Sequence, residues 1–303
     1  MKLFKNVFSL LVIANLRCYA GEVKNNFIIP NDVKTSVAAL VLNDTDELLG
    51  YWVGMFKPVQ EVKLILAGEH DAWDYQNKIN ISIDKINGGS VTGHSIVAGN
   101  NRPFMGTIIK DKTIYKFIVK EPGNDKYDGV FEFYIDKKSK QLTGTWKANN
   151  KIRISKREYI LVKRNFKYDA GIPLDRSNRY IDWVKNKKVA PGDKHYGSDY
   201  DISYFTTTLD LYKYNPSVQQ LNKTQVANLK KADLFILRNS IYARHGYSFK
   251  DQQLRAYFDR EPWYIPVSTD VKSDFTEIEK KNIELLMRYE KNAKEYYDVF
   301  GRG

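Results

Sequence analysis

Between Leu48 and Arg164 the apolar residues recur at every second position in short runs, and that alternation predicts strands. The clearest stretch sets Ile79, Ile81 and Ile83 against Asn80, Ser82 and Asp84. A strand of this kind turns one face to a core and the other to water. Nine segments read as β: 48–56, 62–66, 78–86, 90–98, 104–110, 113–120, 129–135, 141–147 and 158–163. Asn87-Gly88-Gly89, Lys110-Asp111-Lys112, Pro122-Gly123-Asn124-Asp125 and 136–140 supply turn chemistry between them. Eight or nine strands with no intervening helix predict an antiparallel barrel or sandwich, and the even spacing with tight turns favours an up-and-down barrel over residues 43–165.

After Thr224 the period changes. Leu229, Leu234, Phe235, Ile236, Leu237 and Ile241 occupy more than one face of a helix that should run to about Arg244, where Gly246 supplies the left-handed stop. Asp251 is placed to cap a short helix carrying Leu254, Tyr257 and Phe258. Pro262 and Pro266 bracket an extended Trp263-Tyr264-Ile265, and Thr276 with Glu279 forms a capping box opening a helix with Ile278, Leu285, Leu286 and Tyr289 inward. These helices predict a compact all-α domain over 223–296. Residues 166–222 lose the alternation yet carry Trp183 and seven Tyr or Phe between Tyr180 and Tyr214, too aromatic for a flexible linker. They read as an ordered connector, with His195 at its surface, in an α+β multidomain chain.

The first 20 residues change the picture of where the protein works. Lys2 and Lys5 precede an apolar run from Val7 to Leu16, and Cys18-Tyr19-Ala20 ends it in a small-x-small site before Gly21. This is the order of a secretory signal peptide cleaved after Ala20. The alternative, Cys18 as a lipidated cysteine, lacks the small residues expected before it. The chain's one Cys thus belongs to the leader, and no disulfide framework or thiolate metal site remains. No apolar run reaches the roughly 18 residues of a membrane-spanning helix. Of the formal +12, the leader carries three charges; the remaining +9 spreads as +5 over 21–165, +1 over 166–222 and +3 over 223–303. Nucleic-acid binding calls for a concentrated basic face, so none is expected. The spread charge suits anionic envelope polymers or lipid headgroups better.

Two resemblances add to this reading. Gly50-Tyr51-Trp52 in the first predicted strand and Gly144-Thr145-Trp146 in the eighth resemble the Gly-x-Trp signature of lipocalin-like barrels. The resemblance implies that Trp52 and Trp146 close the barrel, with Arg157 or Arg164 over a ring. Its cavity is either open to an apolar ligand or filled by side chains. In the second domain Arg238-Asn239-Ser240-Ile241-Tyr242-Ala243-Arg244-His245-Gly246-Tyr247-x-Phe249, Leu254-x-x-Tyr257-Phe258, Trp263-Tyr264-x-Pro266 and Glu279-Lys280-Lys281-Asn282-Ile283 resemble the YARHG domain over 226–290. That family implies an exported bacterial protein and no established molecular role.

The name-giving motif admits two readings. In one, Arg244 and His245 bond the last helix carbonyls and Tyr247 folds back on the helix. In the other, Asn239, Tyr242, Arg244 and His245 join Trp263 and Tyr264 in a polar-aromatic pocket for a peptide or glycan end. No nucleophile motif, phosphate loop or metal-ligand spacing occurs, and His70 and His94 have no ligand partner at helical or strand spacing. The sequence therefore predicts no cofactor, no metal and no catalytic residue. Its leading reading is an exported, periplasmic or extracellular, non-enzymatic binding or scaffolding protein for an envelope peptide, glycan or lipid. The alternative is a hydrolase using His245 or His94 with a carboxylate as general acid/base. Oligomeric state is not legible.

Overall fold

The computed structural model describes residues 45–67, 75–182, 187–188 and 207–293. Residues 1–20 with Cys18, and His70, Trp183 and His195, lie outside the described residues.

Eight strands form a closed antiparallel barrel in chain order: β1 (Gly50–Pro58), β2 (Asn77–Asn87), β3 (Ser90–Val97), β4 (Asn100–Asp111), β5 (Ile114–Lys120), β6 (Gly129–Asp136), β7 (Gln141–Ala148) and β8 (Lys156–Arg164). β1 closes the ring on β8 with Trp52 opposite Lys163 and Phe56 opposite Tyr159. The second of the nine predicted strands, at 62–66, is instead helix α1 (Gln60–Ala67) between β1 and β2. Its short apolar run satisfies either period, and Gln, Glu, Leu and Ala favour the helix.

Alternation sends Trp52, Ile81, Phe117, Phe133, Leu142 and Leu161 inward, all buried in one cluster. Phe117 and Phe133 stack at 4.6 Å. Each such side chain contributes about 1.5–3 kcal/mol by leaving water. The inward positions fill the end of the barrel where β1 begins and the tight 88–89 and 112–113 turns lie.

The second region packs around α3 (Lys231–Arg244), which follows the single turn α2 (Lys223–Val226) and precedes α4 (Gln252–Phe258) and α5 (Glu277–Asn292). The long helix therefore starts at Lys231, not near Thr224. An Asn222–Gln225 capping box opens and confines the first turn, and Leu221, Val226 and Leu229 anchor that turn in the core. Asp251 caps α4 and Thr276 with Glu279 caps α5, as predicted. Ile278 is exposed, because the inward face of α5 begins with Glu279, Asn282 and Ile283. The described parts of 166–222, with the short pair β9 (Ile181–Asp182) and β10 (Lys187–Lys188), include Leu211 and Ile181, which are buried in the helical core.

The outer face of β2 departs from the half-buried expectation. Lys78 and Asn80 point away from the barrel core yet are buried where they meet the helical module, and Ser82 on the same face is buried with its hydroxyl on Asp84 Oδ1. Lys78 Nζ donates to the carbonyls of Glu261 and Tyr264 at 2.7 and 3.0 Å, and Asn80 Nδ2 to that of Pro266 at 2.9 Å. The Gly99 N–H donates to Ser248 Oγ. Barrel and module thus meet through a polar, buried seam.

Candidate functional site

The opposite end of the barrel is open. There β1 gives way to α1, and the β3–β4 turn, the 121–128 loop and the 149–155 loop surround a cavity of about 660 Å³, within the usual range for small-ligand sites. Its floor is aromatic. Phe56 lies edge-on to Trp146 at 5.7 Å and near-parallel to Phe131 at 6.3 Å. Gly129 makes this possible, since a Cβ there would come within 2.4 Å of Trp146 Nε1. Trp146 Nε1 donates to Glu121 Oε2, which also accepts from the Gly129 N–H, while Ser95 Oγ donates to Glu121 Oε1. Burial raises the Glu121 carboxyl above its ordinary pKa, against the pull of these three donors.

The walls are cationic. Six basic side chains, Arg102, Lys126, Lys151, Arg153, Arg157 and Arg255, line the cavity against the one carboxylate of Glu121. Arg102 pairs with Asp128 and Asp125. Arg157 is held differently: it donates to the carbonyls of Phe56 and Tyr75 at 2.9 and 2.8 Å, with its guanidinium 4.9 Å above the Phe56 ring. Burial, and then the charge of Arg255, lower its pKa to about 10. Arg255 comes from α4 of the helical module and donates to Asn77 Oδ1 at 3.1 Å.

The two expected closure tryptophans separate. Trp52 sits at the filled end, 2% exposed, donating to the Leu48 carbonyl beneath Lys163. Trp146 forms part of the floor of the open mouth. The register explains this: Trp146 lies near the end of β7 and pairs with Arg157 at the start of β8. Accordingly Lys163 covers Trp52, and Arg157 covers Phe56, where Arg157 or Arg164 over a tryptophan was expected.

The residues expected in the second pocket are distributed over three places. Asn239 and Tyr242 border a cleft of about 470 Å³ with Arg238, Tyr247 and Lys250, which Trp263 and Tyr264 do not line. Within it Asn239 donates back to the Phe235 carbonyl and Tyr242 packs edge-on to Phe275. Tyr264 is buried and donates to the Tyr247 carbonyl, and Trp263 Nε1 donates to that of Pro173.

The side chains of Arg244 and His245 do not bond the last carbonyls of their own helix. The backbone does so, with the Gly246 N–H on Ala243 O and the Tyr247 N–H on Tyr242 O, a reciprocal stop that Gly246 permits at φ +74°. Arg244 instead reaches Ile172 O and Ser240 Oγ. Burial lowers its pKa to about 10. His245 Nε2 lies 2.9 Å from Glu279 Oε2 and its ring stacks on Tyr168 at 4.2 Å. Glu279 also accepts from Thr276 N and from Tyr168 OH. Burial alone would raise the Glu279 carboxyl, but these partners, His245 foremost, hold it down to about 2.

The other histidine pair, His94 Nδ1 to Asp84 Oδ2 at 2.8 Å, lies on the barrel exterior. Neither histidine lines the mouth. The acid/base alternative therefore has two His–carboxylate contacts, one buried in a packed core and one on an open surface.

Comparison with known proteins bears on both regions. Residues 211–291 match the family model described as the YARHG domain. The match begins at Leu211, ahead of the motif blocks, where Leu211 and Leu221 enter the helical core. No curated protein matches the chain. Among solved structures, the Echinococcus granulosus fatty-acid-binding protein 1 aligns over 40% of this chain and 99% of its own, at 12% identity and a TM-score of 0.24. Among the described residues no helix is long and apolar enough to cross a membrane. The chain thus joins a closed eight-stranded barrel to a helical region that matches the YARHG domain over 211–291.

Proposed function

We propose that this is an exported, non-enzymatic binding protein of the cell envelope or extracellular space, whose barrel takes a small ligand at its open end. The observation that carries this reading is the mouth cavity: about 660 Å³, floored by Phe56, Phe131 and Trp146 and walled by polar side chains. An apolar floor with a few convergent polar groups is what a small-molecule site needs. The YARHG module acts as a docked platform that contributes to the wall. The leader at 1–20 supports export, and the YARHG match agrees with it.

Native mass spectrometry of the purified protein after exposure to envelope extract tests the reading. A small molecule retained by the wild type and lost from Val97→Phe, which fills the mouth, is the expected result. A wild-type protein that retains nothing sinks it.

A further inference from the structure

We propose that the mouth selects a flat apolar molecule bearing one oxyanion, with the anion held between Arg157 of the barrel and Arg255 of the helical module. The apolar body lies on Phe56, Phe131 and Trp146. This rests on the binding-protein reading and gives its ligand a chemistry.

The argument begins with what the two guanidinium groups lack. Arg157 is 9% exposed, and its two hydrogen bonds end on neutral carbonyl oxygens, those of Phe56 and Tyr75. Arg255 likewise donates to a side-chain amide oxygen on Asn77 and to the Lys250 carbonyl. Neutral acceptors satisfy N–H groups but do not balance a charge removed from water. The carboxylates at the mouth are committed elsewhere. Asp125 and Asp128 hold Arg102, and Glu121 accepts Gly129, Trp146 and Ser95 at the floor. Asp251 and Asp259 attract Arg255 through space, but their pull offsets its burial only in part, and its pKa still lies below the ordinary value.

Two cations therefore border one cavity, and the charge of Arg255 adds to burial, the larger cause, in lowering the pKa of Arg157. An oxyanion between them would relieve both the burial and the repulsion, and a guanidinium fork matches the geometry of carboxylate, sulfonate or phosphate oxygens. The floor sets the rest of the ligand. Phe56 and Phe131 present near-parallel rings, 27° apart, with Trp146 edge-on to Phe56 and tilted against Phe131. This is a surface for a flat or thin apolar body. Arg255 is remote in sequence from every other lining residue, so the site is complete only when α4 is docked on the barrel.

The test uses the full chain and two fluorescent probes with one skeleton, the anionic 1-anilinonaphthalene-8-sulfonate and the neutral N-phenyl-1-naphthylamine. The sulfonate should bind at least about tenfold tighter than the neutral amine. Arg255→Gln should weaken the sulfonate by about tenfold, the scale of one charge-assisted contact, and leave the amine unchanged. If both probes bind equally and Arg255→Gln alters neither, the anion clamp is wrong while the binding-protein reading stands. If neither probe binds, both fall. Should Arg255→Gln fail to fold, Lys151→Glu on the exposed rim decides: a severalfold loss for the sulfonate alone supports the clamp, and an unchanged sulfonate affinity overturns it.

Discussion

The Arg244-His245-Gly246 corner and the barrel mouth are both rich in cations and aromatic rings, but their polar groups end differently. At the corner Arg244 also ends on neutral oxygens, Ile172 O and Ser240 Oγ, but the Glu279 carboxylate offsets its charge and meets His245 directly, itself tied to Thr276 and Tyr168. At the mouth Arg157 and Arg255 stop at neutral oxygens beside a cavity. The corner with the recognisable motif is built as a joint, and the cavity we propose as the ligand site carries no motif. A named sequence pattern can mark architecture, while binding capacity lies where charge is left uncompensated.

That contrast is open to breakage, most strongly at the joint. His245→Ala should cost about 3 kcal/mol, since it takes the imidazole from the buried Glu279 carboxylate and leaves it Thr276 and Tyr168 as donors. Thermal unfolding reads the loss, and the affinity of the folded variant for the naphthalene sulfonate should not change. An unchanged melting temperature would mean that the motif is not a joint. Gly246→Ala should cost about 2 kcal/mol by forcing a side chain into the left-handed region. The added Cβ would also meet Val267 Cγ2 at 2.4 Å and Ile265 O at 3.0 Å. Denaturant titration should show a lower midpoint at constant slope.

A smaller effect sits at the seam joining the two regions. Burial raises Asp259 to about 6 and Glu261 to about 7, against the counter-pull of Lys78 on Asp259 and of Asn178 on Glu261. The folded protein thus keeps protons that the unfolded chain releases above about pH 4 to 4.5. Their contribution to stability is complete below that range and is lost as pH rises through about 7. Melting temperatures from pH 5 to 7.5 should fall more steeply for wild type than for Glu261→Gln, and equal slopes would contradict this. Smallest of all, Lys151→Ala on the exposed rim should change stability by less than about 0.5 kcal/mol. It should still weaken the sulfonate probe about twofold, which would separate binding from folding at the mouth.

Much of the architecture was legible from the residues. Alternation located all eight barrel strands, because a half-buried strand must repeat every second residue. Asp251, Thr276 and Gly246 announced helix boundaries through the backbone chemistry they satisfy. Residues 62–66 were misread because a short apolar run fits either period. The start of α3 was missed because tertiary packing of Leu221 and Leu229 interrupts an otherwise helical pattern. The candidate site was least legible. Ser95, Glu121, Trp146 and Arg157 lie on separate strands and strand ends, Arg255 lies in another module, and no local spacing joins them. The roles of Trp52 and Trp146 diverged for a similar reason: identical Gly-x-Trp triplets lie toward opposite ends of the ring, and only the register distinguishes them.

The position of Arg255 has a thermodynamic consequence. It sits on α4, beside the Asp259 carboxylate that receives the Lys78 N–H of β2, so one short helix both grips the barrel and faces the cavity. Any occupant that engages Arg255 must favour the docked arrangement over a loosened one by its difference in affinity for the two. Reciprocity then requires that whatever pulls on the YARHG module lower the hold on the occupant by the same factor. A barrel and a platform fastened in this way would form a release device, in which tension or a partner at one end sets retention at the other.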